Sequence, residues 1–289
     1  MLMILLACRT QVSPPAANEA EATRDVEGLA RPEAAWIEER TRQAEARLRR
    51  TEAGTVVWSA IEAAGGLDAW FGASPLAFHF DYRPLNGKPR RDTRQVVDLW
   101  RSRAVHTLAA DPNVRFGWDG EHAWQQVPEG SSLPINPRFW SLTPYYFVGI
   151  PFVLADSGVQ LELDEPATFE GQASTLVRVS FADGTGDADD DAYVVYIANE
   201  TKRVIALRYI VSYPGFFEEG QHSPWKIMAY DGAQTVQDLR LPRQYRTFSW
   251  EDGPGEQVTE ITLNEVQAQP ALSRSAFGMP SGATVQDGY

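Results

Sequence analysis

Residues 193–213 read YVVYIANETKRVIALRYIVSY, with apolar side chains at every second position on both sides of a polar turn. Tyr193, Val195 and Ile197 share one face of the first segment, and Ile205, Leu207, Tyr209, Val211 and Tyr213 one face of the second. Residues 199–202 form the turn. A period of two, rich in β-branched and aromatic residues, specifies an antiparallel hairpin with one face that must be covered. The acidic run 183–191 is the loop that feeds it. The pattern recurs over 76–83, 92–100, 103–109, 114–118, 121–127, 159–163, 173–181, 224–230, 235–240, 243–250 and 256–266. Asn86-Gly87, Asp119-Gly120, Glu170-Gly171 and Asp231-Gly232 supply turns between them.

Helical signals stand before the strands and once among them. Residues 33–51 are strong helix formers with Glu38/Arg42 and Glu45/Arg49 at salt-bridge spacing and a thin apolar face of Trp36, Ile37, Ala44 and Leu48. Residues 55–64 carry the stripe Val57, Trp58, Ile61, Ala64 and stop at Gly65-Gly66, followed by a short helical turn over 67–72. Residues 139–154, FWSLTPYYFVGIPFVL, are almost wholly apolar. Pro144 and Pro151 argue against one continuous helix, leaving a short one over 145–149. The fold class is mainly β: about a dozen strands at the spacing of a barrel or a sandwich, read as one large antiparallel sheet that wraps around something, with the N-terminal helices over one mouth or face and the short central insertion inside its curve.

The net charge of −13 repels phosphate backbones, so nucleic acid is excluded as a partner. Cys8 is the only cysteine, which rules out an intrachain disulfide. It ends the apolar run MLMILLAC, with Leu5 three residues before it and Ala7 directly before it. This resembles the bacterial lipobox, in which the cysteine thiol is alkylated by diacylglycerol and the signal is cut in front of it. The apolar run is short and no basic residue precedes it, as a start site placed too far downstream would give. The expected organisation is a signal over 1–8, a disordered tether over 9–31, a charged helix over 32–53, one β domain over 54–266 and a tail over 267–289 that Phe277 pins. Arg9, not aspartate, follows the cysteine; by the lipobox resemblance this implies an outer-membrane lipoprotein of the bacterial envelope facing the periplasm.

AIEAAGG (60–66) with Trp70 after it, YYFVGIPFVLADSGVQLE (145–162) and GTGDADDDAYVVYIANETKRVIALRYIVSY (184–213) carry a second resemblance. With the order of helices, strands and apolar insertion, the chain resembles the outer-membrane lipoprotein-carrier superfamily of LolA and LolB type over about residues 55–266. That resemblance implies a half-barrel: a large curved antiparallel sheet, an incomplete barrel, with the N-terminal helices and the short central helical insertion covering its concave face around an apolar cavity for acyl chains. An apolar small molecule or lipid is then the expected ligand. Phe78, Phe80, Trp100, Tyr145, Phe147, Tyr193 and Tyr209 are candidate wall residues; Phe216 and Phe217, in an otherwise polar loop, are ligand-site candidates as a lid or as a contact to a partner or membrane, and folding back onto the core explains them equally well.

Asp183, Asp187, Asp189, Asp190 and Asp191 could supply oxygens to calcium, although the spacing is not that of an EF-hand and a solvated loop explains the run as well. His79, His106, His122 and His222 are scattered, and no catalytic motif is visible, so an enzyme is not indicated. Three classes stay open: an apolar-ligand-binding lipoprotein, a structural or assembly lipoprotein engaging an envelope protein, and a calcium-assisted enzyme on the same scaffold. No resident cofactor is implied apart from that calcium.

Overall fold

The computed structural model describes residues 29–185, 188 and 190–286. Cys8, the tether through residue 28, Asp187 and Asp189 lie outside the described residues. Helices α1 (Ala34–Leu48), α2 (Glu52–Ala63) and α3 (Leu67–Gly72) precede strands β1 (Leu76–Pro84), β2 (Arg91–Asp98), β3 (Arg103–Leu108), β4 (Arg115–Trp118) and β5 (Ala123–Gln126). Helix α4 (Pro137–Gly149) and a 3-10 turn (Phe152–Ala155) interrupt the series. Strands β6 (Val159–Phe169), β7 (Gln172–Phe181), β8 (Tyr193–Ala198), β9 (Val204–Tyr209), β10 (Lys226–Asp231), β11 (Gln234–Val236), β12 (Leu239–Leu241), β13 (Gln244–Trp250), β14 (Pro254–Ala268) and β15 (Thr284–Val285) follow.

Thirteen of these strands form one antiparallel sheet in the order β15-β5-β4-β3-β2-β1-β14-β13-β10-β9-β8-β7-β6, while β11 and β12 pair separately. β15 and β6 are the two edges and do not meet, so the half-barrel is open, as the resemblance to the lipoprotein carriers implied. Its inner face carries Leu76, Phe78, Phe80, Val177, Val195, Leu207, Met228, Tyr245 and Ile261 and is covered by the helices. The outer face holds a second apolar cluster built on Leu176, Val194, Tyr196, Ala206 and Ile227. A third lies under the tail, where Phe277 packs on Val105 and Trp124. The packed unit therefore takes in both α1, which buries Ala44 and Leu48, and the tail.

Several local expectations are corrected. Ile205 does not share the face of Leu207: the register slips between Tyr196 and Ile197, and the extra residue puts Ile205 on the outer face beside Ala206. The stretch 235–240 is not one strand, because Gln237 takes a positive φ of 51° and turns the chain between β11 and β12. β6 runs six residues past the expected end at 163. It is an edge strand, where the missing N–H of Pro166 breaks no ladder on its free side. The helix expected over 145–149 begins at Pro137. Asn136 caps it by accepting from the Phe139 N–H at 3.0 Å, and Pro137 sits in the first turn where proline is favoured. Pro144 forfeits only the bond to the carbonyl of Trp140, and burial of the helix against the sheet outweighs it.

The Gly65-Gly66 stop behaves as a glycine C-terminus should. Gly65 has φ 119° and Gly66 φ 90°, and the Gly66 N–H returns to the Ile61 carbonyl at 2.9 Å. A side chain at Gly65 would strike the backbone of Asp238, so the end of α2 is fitted against the β11–β12 hairpin.

Strand β2 ends at Asp98, two residues before the expected boundary, because Asp98 ties the turn into β3. Its carboxylate accepts from Arg103 at 2.6 and 3.1 Å, from the Trp100 and Arg101 N–H groups at 3.1 and 3.2 Å, and from the Ser74 hydroxyl at 3.3 Å. The Asp98 side chain is only 2% exposed. Removing one partner strands the other charge, so Asp98→Ala is expected to lower unfolding stability by about 3–5 kcal/mol in urea titration. A loss below about 1 kcal/mol would show that water replaces the carboxylate at no cost.

Candidate functional site

Helix α4 crosses the inner face but does not close onto all of it. Phe139, Leu142, Thr143, Tyr146, Phe147 and Ile150 fall at i, i+3, i+4, i+7, i+8 and i+11, one stripe of the helix and its exit. That stripe faces Val159 of β6, Phe181 of β7, Tyr193 of β8 and Tyr209 of β9, with Val211 and Tyr213 beyond. Between them lies a cavity of about 170 Å³. Its walls are predominantly apolar and aromatic, with Arg138, Thr143, Thr185, Asp156 and Asp191 as the polar groups at its margin.

Both ends of α4 are pinned, which is why the middle cannot settle further. At its C-terminal end Trp70 stacks on Phe152 (4.6 Å between centroids, 7° between planes) and on Tyr145 (6.2 Å). The Tyr230 hydroxyl donates to the Phe147 carbonyl at 3.2 Å. At its N-terminal end Phe139 meets Tyr213 at 5.1 Å and Phe216 at 4.9 Å, and the Arg138 guanidinium lies 3.6 Å from the ring centroid of Trp118. Along its flank the His106 Nε2–H donates to the Ser141 carbonyl at 2.8 Å, with the imidazole stacked on Phe116 at 4.3 Å.

The structure distributes the sequence candidates unevenly. Phe147, Tyr193 and Tyr209 are on the cavity wall. Phe78, Phe80 and Tyr145 are buried in the main core and do not line the cavity. Trp100 sits in the β2–β3 turn, 5.7 Å from Trp36 of α1, and does not line the cavity either. Phe216 is 48% exposed at the rim, and Phe217 is half-buried beside it. The residues that sequence reasoning missed are mainly those of α4. Their helical spacing was present in the sequence and was obscured by reading Pro144 as a break.

Of the acidic loop, Asp191 turns inward. Its carboxylate accepts from the Ser212 N–H at 2.6 Å, the Ser212 hydroxyl at 2.9 Å and the Tyr193 hydroxyl at 3.4 Å. Burial pushes this carboxyl up, and the Ser212 donors oppose that rise. Among the described residues no three His, Cys, Asp or Glu side chains come together as a metal-binding group.

No protein-family model and no curated protein matches the sequence. Solved structures do match. A LolA superfamily protein from Nitrosomonas europaea superposes with a TM-score of 0.52 at 10% identity, over 79% of this chain and 98% of that one. A DUF1329 family protein from Desulfovibrio piger superposes with a TM-score of 0.51 at 10% identity, over 83% of this chain and 96% of that one. At such identity the likeness is one of fold: the chain has the LolA-type half-barrel.

The latch at His106 has a pH signature. Burial pushes its imidazole down to about 4 from the ordinary 6.5, so the folded protein holds it neutral. Between those values the unfolded chain takes up a proton that the folded chain refuses. Stability is therefore full above about 6.5 and is lost as the pH falls through this window, by about 2–3 kcal/mol at pH 4.5. In His106→Gln, whose amide can donate to the same carbonyl, urea titrations at pH 7.5 and 4.5 should show that much less acid-side loss than wild type. Equal losses in the two proteins would remove His106 from the acid response.

Proposed function

We propose that this chain is an envelope lipoprotein that holds an apolar ligand, a lipid or another chain-like molecule, in the cavity between α4 and the β6–β9 wall. The observation that carries this reading is the cavity itself. An apolar cavity of about 150 Å³ holds one benzene-sized molecule, so about 170 Å³ receives one short apolar segment as it stands. Each methylene moved from water into such walls contributes about 0.8 kcal/mol. A longer chain requires α4 to give way, and its N-terminal end is where that is easiest. There Phe139 rests on the half-exposed Phe216, whereas the C-terminal end is locked by the Trp70 stack. Phe216 and Phe217 both donate backbone N–H to the Tyr213 carbonyl, at 2.8 and 3.1 Å, which makes their loop a compact flap over that end.

The test uses the full chain, since α1 and the tail belong to the packed unit. A fluorescent fatty acid should bind saturably at micromolar concentration. Phe216→Ser with Phe217→Ser should change the rate at which the probe is released to acceptor vesicles while leaving the thermal transition in place. Absence of saturable binding by the wild-type chain would remove the apolar-ligand reading.

Anchoring through Cys8 is the second half of the proposal. It rests on the lipobox-like LLAC sequence and on the polar stretch that separates it from α1. A single acyl chain holds a protein on a membrane only marginally, so stable anchoring takes the two or three chains of a bacterial lipoprotein. Expressed in a bacterial host with a complete signal sequence, the wild type should fractionate with the outer membrane and Cys8→Ser with the soluble periplasm. A serine variant that stays with the membrane would overturn the anchor.

A further inference from the structure

The aromatic wall of the cavity continues past its edge onto a lysine. Tyr193 pairs with Tyr209 across β8 and β9, and Tyr209 pairs with Lys226 across β9 and β10. Met228 and Tyr230 of β10 point to the inner face, so Lys226, two residues before Met228, points there too. The three side chains form one row. Lys226 is half-buried, and its Nζ lies 6.0 Å from the centroid of the Tyr209 ring.

Among the described residues Lys226 makes no ion pair and no side-chain hydrogen bond. Burial pushes its ammonium down, and the positive charge of Lys88, on the β1–β2 connection, pushes it the same way. Among the described residues Lys226 thus stands without a carboxylate partner, in a protein whose net charge is −13. The other charged groups at the cavity margin are engaged elsewhere: Asp191 with Ser212, Asp156 with Arg40 at 2.7 Å, and Arg138 on the face of Trp118. A half-buried ammonium that has given up water and gained no partner is unfavourable, and an anion brought to it relieves that cost.

We propose that Lys226 receives the anionic head, carboxylate or phosphate, of an amphiphile whose apolar chain enters the cavity past Tyr209. The proposal rests on the apolar-ligand reading above and adds the head-group class and its anchor. Directly paired side chains stand about 5 Å apart, so a head on Lys226 sets the first few methylenes of its chain against Tyr209.

The experiment is calorimetric titration of the full chain with decanoate, decyl phosphate, decanol and inorganic phosphate. Wild type should bind decanoate and decyl phosphate about tenfold more tightly than decanol, equivalent to about 1.4 kcal/mol. Lys226→Gln should bring both anions to the level of decanol and leave decanol unchanged, while Lys226→Arg should keep the preference. Inorganic phosphate should not bind saturably. Equal binding of anion and alcohol by wild type, or an undiminished preference in Lys226→Gln, overturns the head-group anchor while leaving the apolar cavity standing. Inorganic phosphate binding as tightly as decyl phosphate overturns it as well, in favour of a site for the free anion. Failure of all four ligands to bind removes this proposal together with the reading on which it rests.

Discussion

An antiparallel sheet left open along its edges has an inner face that no partner sheet covers, and covering that face is the constraint on which the rest of the molecule depends. The edges β15 and β6 do not meet, so the sheet cannot bury its inner residues by closing on itself. Helices α1 to α3 cover part of the deficit. Trp70, fully buried, stacks on Phe152 and Tyr145 and so joins the N-terminal helices to the central insertion. The insertion then has to span what remains. It is held at one end by this stack and at the other by Phe139 on Tyr213. A rigid helix fixed at two points over a curved wall of large aromatic rings leaves a gap between them. The cavity follows from how the sheet is covered, with no special cavity-forming residue.

The same geometry explains what could be read from the sequence. Strand alternation is local and repeats many times, so the architecture and most strand positions were legible from Leu76 onward. Exceptions fell where one residue broke the period. Ile205 was assigned to the wrong face because a bulge leaves no mark in the alternation of its own strand. Gln237 adopts a positive φ without being glycine, so no turn was visible between β11 and β12. The cavity wall was legible where it is built of strands, at Tyr193 and Tyr209, since their period already placed them inside. On α4 only Phe147 was legible, because the rule that proline ends a helix outranked the spacing of Phe139, Leu142 and Tyr146. In the structure the burial of that stripe outweighs one lost hydrogen bond. Phe78, Phe80 and Trp100 were indistinguishable from lining residues in the sequence. Whether an inward-facing aromatic meets a helix or a void depends on where the helices lie, and the alternation of a strand does not encode that.

The polar groups around the cavity divide by side, and the division is more informative than the net charge. On the β8 side Asp191 is held by the backbone and hydroxyl of Ser212, which supply donors a carboxylate needs and leave it little reason to recruit another. On the β10 side Lys226 has only an aromatic face. A cation on a ring gains about 0.5–2 kcal/mol, less than a desolvated ammonium gains from an anion with good geometry. The unevenness is in how completely each charge is satisfied, and it sets a direction along the aromatic row from the engaged carboxylate to the unengaged ammonium.

The rims of the half-barrel give that direction a reference. The described chain begins beside the end of β14: Leu29 donates to the Leu272 carbonyl at 3.2 Å and Arg31 reaches Gln269 at 3.0 Å. The Gln269 N–H in turn bonds the Pro75 carbonyl, just before β1 begins. Following the antiparallel register from β1 through β14, β13 and β10 to β9, this rim is the one where β9 starts. The cavity is walled by Tyr209 at the end of β9 and Tyr193 at the start of β8, toward the opposite rim. An anchor at Cys8 would therefore join the half-barrel at the rim away from the cavity. Twenty-one residues from Cys8 to Leu29 span at most about 75 Å when fully extended. That is several times the length of a six-residue strand, about 20 Å. A connection of that reach does not force the cavity toward or away from the membrane that holds it. Orientation would then depend on what the rim itself meets, and the rim presents Phe216 and Lys226 to any partner that would deliver or accept the proposed ligand.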